Sequence, residues 1–117
     1  MIYSLGKKER LSSKKDIGGL LEKGHYGSVE GLKYCFAPGS SQEVNRILVS
    51  VPKKLFRRAV KRNLLKRRIR ESYRTQKSLL EATGVDIMFI YATKEILPFS
   101  TISARVGDIL KEINSRL

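Results

Sequence analysis

The sequence predicts an α+β fold: a single-domain, two-layer sandwich with helices packed on one sheet, in the order α-β-β-(β)-α-β-α. Three observations predict it. Segments with apolar residues three and four positions apart, at 17–21, 65–73 and 102–117, are separated by short runs rich in branched and aromatic residues at 32–37, 46–51 and 85–92. Helical and strand periods thus interleave along one chain, which is the pattern of helices covering a sheet. A length of 117 residues supports one modest core, and no repeat or Pro/Gly/Ser-rich linker divides residues 1–117.

Taken in order, residues 1–10 are short and basic toward their end and read as a flexible arm, with Arg10 and Leu11 leading into the first helix. Ser12 or Ser13 caps that helix, Asp16 complements its positive end, Ile17, Leu20 and Leu21 share a face, and Gly24 stops it. Gly18 and Gly19 each cost about 1 kcal/mol relative to Ala. Either packing alone holds this helix or something approaches its backbone closely. A short strand is expected at 26–29, with His25, the only histidine, as a turn or surface residue. In 32–37, alternation places Leu32, Tyr34 and Phe36 on one face and Lys33 and Cys35 on the other. Residues 38–41 form a loop, and the strand at 46–51 ends at Pro52, which cannot donate to a ladder. After a break at Thr83 and Gly84, the nearly all-apolar run 85–92 belongs in the sheet centre. A turn at Leu97 and Pro98 precedes a last helix capped by Ser100 or Thr101, with Ile102, Val106, Ile109, Leu110, Ile113 and Leu117 as its apolar stripe.

Twenty-four Lys and Arg against eleven Asp and Glu give a net charge of +13, extreme for this length. Such a balance points to an anionic macromolecule and away from a small-molecule substrate. A lone Cys35 in an apolar run reads as a buried structural thiol in a reducing compartment. No apolar run approaches the roughly 20 residues of a spanning helix and 1–10 lacks a signal-peptide core, so a cytoplasmic location with no membrane partner is expected. The acids are scattered, with no close pair, no Ser/His/Asp set, no Cys/His cluster and no phosphate-cradling glycine loop. The sequence offers no catalytic residues and no metal site of its own.

The positive charge concentrates in 53–74, KKLFRRAVKRNLLKRRIRESYR. Lys53, Lys54, Arg57, Arg58, Lys61, Arg62, Lys66, Arg67, Arg68, Arg70 and Arg74 are basic there, and Glu71 is the one acid. At about 100° per residue, Asn63, Arg67, Arg70 and Arg74 fall on one ridge with Lys66 at its edge, while Leu65, Ile69, Ser72 and Tyr73 fall opposite. The helix can bury one side and turn guanidinium groups outward, and arginine suits phosphate because its planar fork donates two hydrogen bonds at once. A solvated basic face is the alternative, but such faces mix signs along i,i+4 pairs and this ridge has almost no acid.

The spacing R-N-x-x-K-R-x-x-R-E, filled by Arg62, Asn63, Lys66, Arg67, Arg70 and Glu71, resembles the signature of the protein subunit of bacterial ribonuclease P. Ser50 to Lys54, S-V-P-K-K at the end of a strand, resembles the same family in the right order and separation. The resemblance implies an endoribonuclease, ribonuclease P, in which this chain is the non-catalytic protein subunit: the RNA subunit cleaves the 5′ leader from precursor tRNA with Mg²⁺ at the scissile phosphate. The partners it implies are the catalytic RNA and precursor tRNA. It also implies a left-handed β-α-β crossover, against the general right-handed rule.

Carried over onto this sequence, RNA binding falls on Lys53, Lys54, Lys61, Arg62, Asn63, Lys66, Arg67 and Arg70, with Arg57, Arg58 and Arg74 as additional charges. Phe56, Arg57 and Arg58 stand where relatives often have Gly-Asn before the Ala. The family's leader cleft lies between the first helix and the sheet and commonly has aromatics on both. Here the helix offers Ile17 and Leu21 and the strand Tyr34 and Phe36, and these four either serve the cleft or pack in the core. A ribosomal-type RNA scaffold protein would share the charge without the cleft. A DNA-binding regulator is disfavoured because a strand ending at Pro52, not a helix and tight turn, precedes the basic helix. A membrane-surface helix is disfavoured because Leu65, Ile69 and Tyr73 are needed inside.

Overall fold

The computed structural model describes residues 7–39 and 44–117. Four strands, β1 (His25–Val29), β2 (Leu32–Pro38), β3 (Arg46–Ser50) and β4 (Val85–Tyr91), form one sheet in the order β1-β2-β4-β3. β1/β2 and β2/β4 are antiparallel, whereas β3 and β4 are parallel and joined through the long basic helix α2 (Ala59–Gln76). Helices α1 (Lys14–Lys23) and α3 (Phe99–Arg116) complete the predicted order. β4, the most apolar segment, lies between β2 and β3 as its composition requires. No helix among the described residues is long and apolar enough to cross a membrane.

The period-two pattern of the strands sorts side chains onto two unequal faces. Leu32, Tyr34, Phe36, Ile47, Val49, Ile87, Phe89 and Tyr91 point to α2 and α3, where Leu65, Ile69 and Tyr73 meet Ile102, Val106, Ile109, Leu110 and Ile113 in the main core. On the other face the strand register aligns three rows: Ser28–Lys33–Ile90–Ser50, then Tyr26–Cys35–Met88–Leu48, then Ala37–Asp86–Arg46. α1 covers the second and third rows through Leu20 and Ile17, which pack with Leu11, Cys35, Ala37, Leu48 and Met88. It leaves uncovered the first row and, at the β1 end of the second, Tyr26, which is exposed. Cys35 is fully buried and donates its thiol to the Leu20 carbonyl at 3.3 Å.

The local signals account for most boundaries. Ser13 caps α1, accepting from the Asp16 amide at 3.4 Å, and the Gly24 amide closes it on the Leu20 carbonyl at 2.7 Å. The β1–β2 hairpin turns at Glu30 and Gly31, where φ of +84° suits a residue without Cβ. His25 is an exposed surface residue, as expected, and opens β1 instead of lying in a turn, its ring 5.5 Å from that of Phe36.

Two expectations are corrected. α3 starts at Phe99 after Pro98, whose carbonyl accepts the amides of Thr101 and Ile102, so Ser100 and Thr101 lie inside the first turn and do not cap it. The arm is not free over 7–10: Lys7–Glu9 form a 3₁₀ turn, Arg10 bridges Ile47, the Leu11 amide donates to the Ile47 carbonyl at 2.8 Å, and Glu9 pairs with Lys77 at 2.8 Å. The open edge of β3 supplies the hydrogen-bonding groups that dock it. The rest of the arm, 1–6, and Ser40 and Ser41 of the expected loop lie outside the described residues.

A candidate nucleic-acid interface

α2 is positioned by its buried side, Leu65, Ile69, Ser72 and Tyr73, none more than 1% exposed. Because that side is fixed in the core, the opposite side must face solvent, and Asn63, Arg67 and Arg70 are exposed there with Lys66 half-buried beside them, while Lys61 is exposed on the first turn, four residues before Leu65. Lys53, Lys54, Arg57 and Arg58 precede the helix in an exposed turn, held by the Leu55 amide donating to the Pro52 carbonyl at 3.0 Å and by buried Phe56, which meets Tyr91 edge to face at 5.8 Å. The first turn of α2 has neither an acid nor a side-chain cap. Its unsatisfied amides and the positive end of its dipole therefore add to the cationic side chains around them.

The basic residues do not all present their charge in the same way. Arg62 folds back and donates to the carbonyls of Phe56 and Arg57 at 2.8 and 2.7 Å, closing the turn onto the helix. Arg68 donates to the Leu97 carbonyl at 2.7 Å and ties α2 to the loop before α3. Arg74 forks onto Glu71 one turn earlier, and this holds the exposed Glu71 carboxyl below its ordinary range. Arg67 and Arg70 have no ion pair among the described residues. The ridge read from the helical wheel thus contains two open guanidiniums, an exposed Asn63 and one guanidinium already engaged by a carboxylate.

The four residues considered for a cleft separate. Tyr34 and Phe36 face α2 and α3, at 0% and 1% exposure, so they do not line the face that carries α1. The Tyr34 hydroxyl donates to Glu112 at 2.6 Å and accepts from Arg116, whose guanidinium also lies 5.1 Å over the Phe36 ring. Burial, with Glu112 as a second cause, raises the Tyr34 phenol above its ordinary value. Alternation sorted the strand correctly, but the first helix packs on the face of Lys33 and Cys35. Ile17 is half-buried beneath α1, and Leu21 is 42% exposed at its outer edge.

On the uncovered part of that face are residues that periodicity alone did not single out. Tyr26, Gly27, Ser28, Lys33 and Ile90 line a shallow depression of about 440 Å³, and Lys33 and Ile90 also line a second of about 280 Å³ with Pro52, Lys54 and Leu55. The shared residues make one groove running from β1 across the sheet to the turn that opens the basic stretch. Its signal in the sequence was the opposite phase of β2, in which Lys33 stands out among apolar neighbours. Among the described residues, no group of three or more His, Cys, Asp and Glu side chains comes together to hold a metal ion.

The sequence profile of the Ribonuclease P family matches residues 5–114, nearly the whole of this frame. The chain belongs to the ribonuclease P protein family. It is 39% identical over 108 residues to the ribonuclease P protein component of Porphyromonas gingivalis strain W83, covering 91% of this chain and 76% of that protein. With the counterpart from Borrelia turicatae it shares 31% identity over 91% of this chain and 92% of the other. The solved ribonuclease P proteins of Staphylococcus aureus and Thermotoga maritima superpose with TM-scores of 0.78 each, at 26% and 27% identity. Those superpositions cover 90% and 89% of this chain, and 94% and 96% of the two structures. Membership makes this a ribonuclease P protein component, connected with tRNA processing.

Proposed function

We propose that this chain is the positioning subunit of ribonuclease P. It binds the catalytic RNA through α2 and the turn before it, and it holds the 5′ leader of precursor tRNA on the sheet face that α1 leaves open. The observation that carries this reading is the continuity of the two surfaces: Lys54 belongs both to the basic approach to α2 and to the groove that crosses Lys33 and Ile90. Two polyanions repel each other, and a small cationic body between them relieves that repulsion. Contacts to phosphate fix orientation without reading sequence, which suits an enzyme acting on many tRNAs.

In this reading the cleavage chemistry lies on the RNA subunit, and Mg²⁺ is held by RNA phosphates, with the protein raising its effective affinity by easing the repulsion around it. Lys53, Lys54, Arg57, Arg58, Lys61, Asn63, Lys66, Arg67 and Arg70 would face the RNA. Arg62 and Arg74 contribute through the shape of the helix entry and through shared charge. Ile17 and Leu21 would border the leader path from the α1 side. A cytoplasmic setting would keep Cys35 reduced.

The test is reconstitution with a bacterial ribonuclease P RNA at low Mg²⁺. Addition of the protein should increase leader removal and should tighten binding of precursor tRNA more than of mature tRNA. RNA binding without either effect would overturn the reading in favour of a scaffold protein.

A further inference from the structure

We propose that Tyr26, on the edge strand β1, is the stacking platform for a nucleobase of the single-stranded leader, with Lys33 beside it on the adjoining phosphate. This rests on the reading of the groove given above and deepens it. Every described tyrosine and phenylalanine is buried except Tyr26, 52% exposed, and Phe99, 42% exposed. Phe99 opens α3 and lines neither half of the groove, whereas Tyr26 forms its β1 end.

The ring of Tyr26 is also held in place. Its hydroxyl donates to the Leu21 carbonyl at 2.8 Å, one of the acceptors left open at the C-terminal end of α1. The phenol is thus anchored at its tip while its face stays open beside Gly27 and Ser28. In the register of the sheet, Tyr26 opposes Cys35 and is diagonal to Lys33, on the same face and at a separation of about 7–8 Å. An aromatic face next to a cation over an apolar floor, here Ile90, is the arrangement that binds single-stranded nucleic acid without reading its sequence. α1 carries no aromatic residue, so the edge strand supplies the aromatic surface that the helix lacks.

The experiment uses the reconstituted holoenzyme with two precursors, one with a long leader and one trimmed to a single leader nucleotide. Y26A and Y26L should weaken binding of the long-leader precursor by roughly five- to a hundredfold, the range that loss of one base–aromatic stack produces, and leave the trimmed precursor unchanged. Y26F loses the bond to Leu21 but keeps the ring, and should bind the long-leader precursor nearly as well as the unmodified protein. If Y26F and Y26A behave alike, whether both weakened or both unchanged, the stacking role is overturned and the hydroxyl serves only to cap α1. If the unmodified holoenzyme does not distinguish the two precursors, the leader-binding reading itself fails.

Discussion

Arg46 and Asp86 face each other across the parallel strands β3 and β4 and are joined by two hydrogen bonds of 2.8 Å, one from Nε and one from a terminal nitrogen. The remaining fork of Arg46 reaches Asp16 of α1 at 3.2 Å. One guanidinium therefore links the two strands that flank the α2 crossover and fastens to them the helix that borders the groove. Space around the carboxylate is tight: a Cβ at Gly39 would stand 2.4 Å from an Asp86 oxygen. The Asp86 side chain is 7% exposed and that of Arg46 14%, so the pair is largely cut off from water.

Asp86→Asn should destabilise the fold by about 2–4 kcal/mol, because it removes the nearly buried carboxylate that accepts two hydrogen bonds from Arg46 and leaves Asp16, the more exposed partner, as the carboxylate on that guanidinium. Asp16→Asn, at the half-exposed end of the same network, should cost about 0.5–1 kcal/mol. Urea titrations of the two variants measure the difference, and equal losses would show that the α1 contact is as desolvated as the inter-strand pair.

The open guanidiniums of α2 make the opposite prediction. Arg67→Ala and Arg70→Ala should leave stability within about 0.5 kcal/mol, since both side chains are exposed. Each should weaken binding to the catalytic RNA and reduce the log–log salt slope by about one per lost phosphate contact. Arg62→Ala should instead lower stability, because Arg62 holds the carbonyls of Phe56 and Arg57. A salt titration beside a denaturant titration separates the two kinds of arginine.

That separation marks where the sequence stopped being informative. The period of α2 was enough to place Leu65, Ile69 and Tyr73 inside and Arg67 and Arg70 outside, because a helix with one buried side has no other orientation available. Whether an arginine on the polar side stays open depends on which carbonyls and carboxylates the rest of the chain brings near it, and nothing local announces Leu97 beside Arg68. The sheet shows the same limit. Alternation divided Tyr34 from Lys33 correctly, but which face receives α1 is fixed by long-range contacts such as Arg46 with Asp16 and Cys35 with Leu20. The docking of 7–10 has no local signal, because its anchor, the free edge of β3, lies nearly forty residues away.

Gly18 and Gly19 are both exposed on α1, and no atom lies within 4 Å of where a Cβ would be built on either. The fold therefore does not need glycine at these positions. Gly18→Ala and Gly19→Ala should each stabilise the protein by about 0.5–1 kcal/mol through helix propensity. Thermal unfolding of the double variant measures the gain. A loss of stability would mean that α1 needs backbone freedom there.

Alkaline pH should unfold this protein through groups that the core keeps protonated. Burial raises the Cys35 thiol above its ordinary 9.0 and, with the neighbouring Glu9 charge as a second cause, raises the Tyr73 phenol above its ordinary 10.0. Desolvation raises Tyr91 in the same direction. In each case the folded state holds a proton that the unfolded chain releases first. The stability these groups contribute is complete below their unfolded-state values and is lost as pH rises past about 9 for Cys35 and about 10 for the phenols. Once the pH exceeds the unfolded value, each group removes up to about 1.4 kcal/mol per pH unit until its folded-state value is reached. Denaturant titrations across this range should show stability falling with pH, and Tyr73→Phe should make the decline above pH 10 shallower. A Tyr73→Phe curve parallel to that of the unmodified protein would mean that the Tyr73 phenol ionises as readily in the fold as outside it.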